Sequence, residues 1–201
     1  MIRILILAAG EARRMGQPKM LLPYAGATII EAVANTALAS PVQQVVVVLG
    51  ALEERIRLVL DHLPVSIAVN RDFQLGMLSS IQCGLRMLTP DPGAVLLMLG
   101  DQPTVPVEVV ESVIKAWEAS DKGIVLPTYR GRRGHPLLID LRYREEILRI
   151  DPSAGMRALL SSHAGDVLEV PVDTSAILKD IDTPEDYAAL TGDGGTSPQH
   201  S

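Results

Sequence analysis

This sequence predicts a three-layer αβα sandwich, an α/β fold with a mostly parallel sheet. Short apolar, β-branched runs recur along the chain, amphipathic segments lie between them, and the runs are apolar throughout instead of alternating with polar residues. Continuous runs mean strands covered on both faces. Strands alternating with helices at this spacing make βαβ units with right-handed crossovers, which places helices on both sides of the sheet.

Taken in chain order, "RILILA" reads as the first strand and "TIIEAVANTALA" as an amphipathic helix behind it. "QQVVVVLG", "VSIAVN" and "AVLLMLG" read as further strands, "VEVVESVIKAWEAS" as a helix and "GIVLP" as a strand. The rhythm then changes. "TYRGRRGHP" is polar and turn-rich, "LLIDL" suits a strand and "RYREEILRI" a helix, so the stretch at about 128–165 is expected to be an insertion in the domain. The chain returns to a strand at "DVLEVPV". In "AILKDIDTPEDYAAL", Thr183 or Asp182 suits the cap of a helix starting at Pro184, with Glu185 and Asp186 in its first turn. One domain over 1–191 is expected, followed by a disordered tail at 192–201, because "GDGGTSPQHS" has nothing to bury.

A chain of 201 residues, 47% hydrophobic and 21% charged, suits a single domain with a sizeable core. Aromatics make up only 3%, so the usual platform for stacking single-stranded nucleic acid is nearly absent. A net charge of -6 also disfavours a polyanionic partner such as nucleic acid, although a local cationic pocket for a small anion survives an acidic average. Cys83 has no second cysteine to pair with, and the apolar run in "MIRILIL" is too short for a signal peptide or a membrane span. The expectation is a cytoplasmic protein with no membrane partner.

In an open α/β sheet, ligands collect beyond the carboxyl ends of the strands, which is where "LAAGEARRMGQPK" lies. The loop is not a dinucleotide fingerprint, because Gly10 and Gly16 are six apart with no middle glycine. Nor is it a Walker A loop, because Gln17 and Pro18 separate Gly16 from Lys19. What remains is a turn of small residues, Ala8, Ala9 and Gly10, that lets a ligand approach the backbone, followed by Arg13, Arg14 and Lys19, cations suited to a polyphosphate. A solvated surface turn fits the same residues taken alone. Asp101 follows the buried run "AVLLMLG", with Gly100 keeping the approach open, and Asp182 follows a second apolar stretch. Mg²⁺ prefers one or two carboxylates plus phosphate and water, so Asp101 and Asp182 are candidate metal ligands, with Arg14 and Lys19 neutralising the departing phosphates. For Asp182, simple helix capping is the competing expectation.

Together "LAAGEARRMGQPK", "NRDFQLGMLSSIQCGL", "LGDQP", "GRRGHP" and "DIDTPEDY" resemble, in order and over nearly the whole chain, the MobA-like nucleotidyltransferases, and most closely their molybdenum-cofactor cytidylyltransferase branch. The resemblance implies a Rossmann-like nucleotidyltransferase fold with a mixed sheet. It also implies a first loop, Leu7, Ala8, Ala9, Gly10, Arg14, Met15, Gly16 and Lys19, around the nucleotide triphosphate, with Ser79 and Ser80, just before a helix, near base or ribose. Lys19, Arg14 and Asp101 are then the catalytic set, with Mg²⁺ on Asp101 and Asp182 and the acceptor near Gln102, Pro103, Gly134 and His135. "LAAG" in place of "LAGG" resembles the cytidylyl branch, which implies CTP and a molybdopterin-type acceptor, and a molybdoenzyme as a possible protein partner. Ser153 and Ala154 before Gly155 depart from relatives that carry an acidic residue there. Two further readings remain open: a guanylyl- or other nucleotidyltransferase on a different phosphorylated acceptor, and a non-catalytic nucleotide-binding maturation factor for a molybdenum hydroxylase.

Overall fold

Seven consecutive buried residues, Ile2–Ala8, form β1, an interior strand of a computed structural model that describes residues 1–11 and 15–192. A small hairpin of β2 (Pro23–Tyr24) and β3 (Ala27–Thr28) leads into α1 (Ile29–Ala39). That helix starts at a capping box: the Glu31 N–H donates to Thr28 Oγ1 and the Thr28 N–H donates to the Glu31 carboxylate. Then come β4 (Gln44–Leu49), α2 (Glu53–Leu60), β5 (Ser66–Val69), α3 (Met77–Met87), β6 (Ala94–Leu99), α4 (Val107–Glu118) and β7 (Ile124–Tyr129). The remainder is β8 (Arg132–Arg133), β9 (Leu137–Asp140), α5 (Arg144–Arg149), α6 (Arg157–Ser162), β10 (Val167–Pro171) and α7 (Pro184–Gly192).

The main sheet runs β10-β7-β9-β6-β1-β4-β5, with β8 paired to β7. Alternate residues of each strand face opposite layers, as strand geometry requires. Ile4, Ile6, Val45 and Val47 pack under Val33, Ala37, Val110 and Val113 of α1 and α4, while Leu5, Leu7, Val46 and Val48 pack under Leu78, Ile81 and Leu85 of α3. Both faces are therefore dry, which is why these strands read as unbroken apolar runs.

The sheet is mixed because β9 runs antiparallel to both β6 and β7. With Leu137 opposite Leu97, its amino end lies at the edge where β6 and β7 finish. The stretch 128–165, expected as an insertion, is thus no separate lobe: it supplies β9 to the middle of the sheet and Ile147 of α5 and Leu159 of α6 to the layer that α3 occupies.

After β10 the chain crosses the carboxyl edge as a strap that is extended on either side of a short 3-10 turn, Ser175–Leu178. Val172 N–H donates to Thr128 O, His135 N–H to Ile177 O at 3.1 Å, and Ile181 N–H to Asp101 O at 3.1 Å. Helix α7 then begins at Pro184. Its cap is Thr183, whose Oγ1 accepts from the Asp186 N–H at 3.2 Å while its own N–H donates to the Asp186 carboxylate at 2.8 Å. Asp182 is therefore not the cap. Gly192, expected to open the tail, is the last residue of α7, and 193–201 lie outside the described residues. No helix among the described residues is long and apolar enough to cross a membrane.

Candidate functional site

β1 and β6 are parallel neighbours in register to Leu7 opposite Leu99, so the residues that follow them emerge side by side. Ala9 and Gly10 leave one strand, Gly100 and Asp101 the other. Between them opens a cleft of about 450 Å³ lined by Leu7, Ala9, Gly10, Lys19, Met20, Phe73, Gly76, Met77, Ser80, Leu99, Asp101, Asp180 and Asp182.

Lys19 opens a short 3-10 turn, Lys19–Leu21, and is only 7% exposed. Its Nζ donates to Asp101 Oδ2 at 2.6 Å and to Asp182 Oδ1 at 3.0 Å. Burial pulls the ammonium pKa down, but the charges and hydrogen bonds of Asp101 and Asp182 outweigh it, so Lys19 stays above its ordinary value and protonated. Asp101 shifts up, because burial disfavours its carboxylate more than Lys19 favours it, and the charge of Asp180 adds to the shift. The two carboxylates thus converge on one cation position facing an open cleft. Among the described residues no three His, Cys, Asp or Glu side chains gather into a complete metal cage. Two hard oxygen ligands with the remaining positions open to phosphate and water are the donor set that suits Mg²⁺.

The other sequence-predicted residues divide. Leu7, Ala9, Gly10 and Ser80 line the cleft. Ala8 faces the opposite way, into the core beneath α1. Met15 is buried with Ile29 and Ile181, anchoring the loop instead of contacting the cleft, and Gly16 turns the chain at φ +63° without lining it. Arg14, with Arg13, lies outside the described residues. Ser79 and Ser80 stand within the first turn of α3, not before it. Ser79 is committed to its own loop: Oγ accepts from Asn70 Nδ2 at 2.8 Å and lies 2.8 Å from Gly76 O and 3.0 Å from Asp72 O. Gly100 does not hold the approach open; a Cβ there would sit 3.0 Å from Ala8 Cβ and 3.1 Å from Leu7 O, so its smallness serves strand packing.

The expected acceptor residues lie beside the cleft. Gln102 is buried and donates through Nε2 to Asp180 Oδ1 at 2.6 Å. Pro103 lines a neighbouring cleft of about 1150 Å³ that meets the first at Asp180. Gly134 packs on the strap, where a Cβ would fall 2.3 Å from Ile177 O. His135 lines neither cleft; burial pushes its imidazole down and Asp180 draws it partly back, leaving it neutral at pH 7. The sequence reading missed Phe73, Gly76 and Met77 on the cleft wall, and it missed Asp180. Its signal was the alternation in "KDID": residues two apart in an extended strap can face the same side, and Asp180 and Asp182 both line the cleft.

The chain has known relatives. A family model described as the MobA-like NTP transferase domain matches residues 4–167. The chain is 30% identical over 190 residues to the molybdenum cofactor cytidylyltransferase of Escherichia coli K12, covering 92% of this chain and 93% of that protein. It is 32% identical over 197 residues to a protein of Paenarthrobacter nicotinovorans named nicotine blue oxidoreductase, covering 92% and 94%. Among solved structures, Rv0371c of Mycobacterium tuberculosis H37Rv superposes with a TM-score of 0.84 at 30% identity over 94% of this chain and 96% of that one, and the same protein is also known in complex with manganese. With the family model spanning most of the residues and these relatives matching nearly from end to end, the chain belongs to the MobA-like NTP transferase family of nucleotidyltransferases.

Proposed function

We propose that this chain transfers CMP from CTP to the terminal phosphate of a molybdopterin-type acceptor, releasing pyrophosphate, with Mg²⁺ as cofactor. The observation that carries the reading is the meeting of Lys19, Asp101 and Asp182 at the carboxyl edge of β1 and β6. The 30% identity to a molybdenum cofactor cytidylyltransferase supports the base and the acceptor.

The chemistry needs no protein nucleophile. An oxygen of the acceptor phosphate attacks the α-phosphorus in line, the bond from that phosphorus to the oxygen bridging to the β-phosphorus breaks, and pyrophosphate leaves with the bonding pair. Positioning and charge neutralisation dominate such steps. Ala9 and Gly10 let the triphosphate lie close to the backbone, and Lys19, with Arg14, takes the charge of the leaving β- and γ-phosphates. Ser80 and Phe73 line the wall available to ribose and base. Gln102 holds Asp180 at the junction of the two clefts, on the acceptor side. Asp101 and Asp182 are the residues that would hold Mg²⁺, which when bound polarises the α-phosphate and offsets its charge.

A second reading follows from the relative named as an oxidoreductase: a dinucleotide bound in the same cleft for hydride transfer. Hydride transfer has no use for two carboxylates converging on one cation beside a diphosphate, so nucleotidyl transfer fits the geometry better. Calorimetric titration with CTP, GTP, ATP, UTP and NADH in the presence of Mg²⁺ tests the choice. CTP should bind tightest; equal affinities, or a preference for GTP or NADH, would sink the cytidylyl assignment.

A further inference from the structure

The point where the two carboxylates meet holds a cation of the chain's own. Lys19 Nζ lies 2.6 Å from Asp101 Oδ2 and 3.0 Å from Asp182 Oδ1. A divalent ion bound to the same oxygens, at about 2.0–2.1 Å for Mg²⁺, would press two positive charges together at near contact. The two cations exclude each other. If metal alone expels Lys19, a buried ammonium loses both its partners, which is costly. A polyphosphate in the cleft removes that cost, because its oxygens offer the ammonium a replacement anion, and the lysine's four-carbon stem allows the exchange.

We propose that Lys19 is a resident counter-ion that holds the divalent-metal position between Asp101 and Asp182 until a nucleoside triphosphate arrives, so that metal and nucleotide bind with positive coupling through this one side chain. The inference rests on reading Asp101 and Asp182 as the metal pair, and it adds an order: triphosphate draws Lys19 away, and the position between the aspartates opens. By reciprocity of linkage, metal bound there favours triphosphate by the same factor. The cleft would thereby resist loading with metal alone.

The test is Mn²⁺ binding to the full chain, followed by the electron paramagnetic resonance signal of the free ion, with and without CTP. Wild type should bind Mn²⁺ weakly alone and about tenfold or more tightly with CTP. Lys19→Met should bind Mn²⁺ alone about tenfold tighter than wild type, and its gain from CTP should shrink. Lys19→Arg, which keeps a bridging cation, should stay weak. A Lys19→Met protein whose affinity for Mn²⁺ alone equals wild type or falls below it overturns the proposal. Should that variant not fold, Lys19→Gln is held to the same criterion. Asp101→Asn separates the two layers of the argument. If it binds Mn²⁺ as wild type does, the metal pair itself is misassigned and the proposal falls with it. If it loses Mn²⁺ while Lys19→Met shows no gain, only the counter-ion role fails.

Discussion

Asp101, whose side chain is only 19% exposed and is bonded to Lys19, is proposed to serve function more than stability. A buried ion pair returns little net stability, because removing two charges from water costs several kcal/mol per ion and apolar replacements are often neutral or better. Asp101→Asn leaves Lys19 its second partner, Asp182 at 3.0 Å, so the variant should fold. Pyrophosphate release should drop by about 10²–10³-fold or more, checked by a coupled phosphate assay beside a circular dichroism melt. An active Asp101→Asn enzyme would remove the role given to this residue. At this scale the sequence carried much of the site. Lys19, Asp101 and Asp182 each follow a strand-like run or a small-residue turn, which marks them as edge residues. Their mutual contact was beyond reach, since the residues are 82 and 163 positions apart from Lys19. A serine beside a ligand and a serine bracing its own loop look alike in sequence; the Asn70 amide donates to both Ser79 and Ser80, and only the contacts of Ser79 Oγ with Asp72 O and Gly76 O set it apart as a loop brace.

At the scale of elements, the strap at 172–182 carries two of the three cleft carboxylates and is tied to Thr128 of β7, to His135 between β8 and β9, and to Asp101 after β6. Gly134, just after β8, packs against it at Ile177. In Gly134→Ala the new Cβ would fall 2.3 Å from Ile177 O and 2.8 Å from Ile177 Cβ, so the strap must move. The expected cost is about 1–3 kcal/mol of unfolding free energy in urea denaturation, with a parallel fall in activity as Asp180 and Asp182 shift. Gly165→Ala, where a Cβ meets nothing within 4 Å, serves as the control and should change neither. A second tie lies between α6 and β10. The Asp166 carboxylate accepts from Tyr143 Oη, from Arg142 Nη2 at 2.6 Å and from the Gly123 N–H at 3.1 Å. Burial pushes Asp166 up, but these donors outweigh it and hold its pKa below the usual value. A depressed native pKa means that the native state keeps the carboxylate ionised where the unfolded chain has already protonated it. Its stabilisation is present above the unfolded value of about 3.9 and is lost as pH falls through the native one. The stability gap between wild type and Asp166→Asn should therefore narrow as pH falls below the unfolded carboxylate value of about 3.9, followed by urea melts at descending pH. The strands of the parallel part were legible as apolar runs. The direction and place of β9 were not, because a four-residue apolar run has the same pattern whichever way it runs, and only its pairing with β6 and β7 decides.

At the scale of the molecule, the proposed reaction asks a chain of net charge -6 to bind a triphosphate and a phosphorylated acceptor against its own average field. Its charged groups gather at one edge of a sheet with two dry faces, where Lys19 meets Asp101, Asp180 and Asp182, so the proposed divalent cation would supply the positive charge that these residues lack. Fold and edge follow from hydrophobic patterning, which is why they could be read from the sequence. Base and acceptor depend on a few wall contacts that patterning does not encode. The central claim is cytidylyl transfer, and the most direct measurement is mass analysis of the products after the protein is incubated with molybdopterin, Mg²⁺ and an equimolar mixture of CTP, GTP, ATP and UTP. A CMP adduct of the acceptor is expected, with one pyrophosphate released for each adduct formed. A GMP adduct, or an unmodified acceptor with all four nucleotides intact, would contradict it.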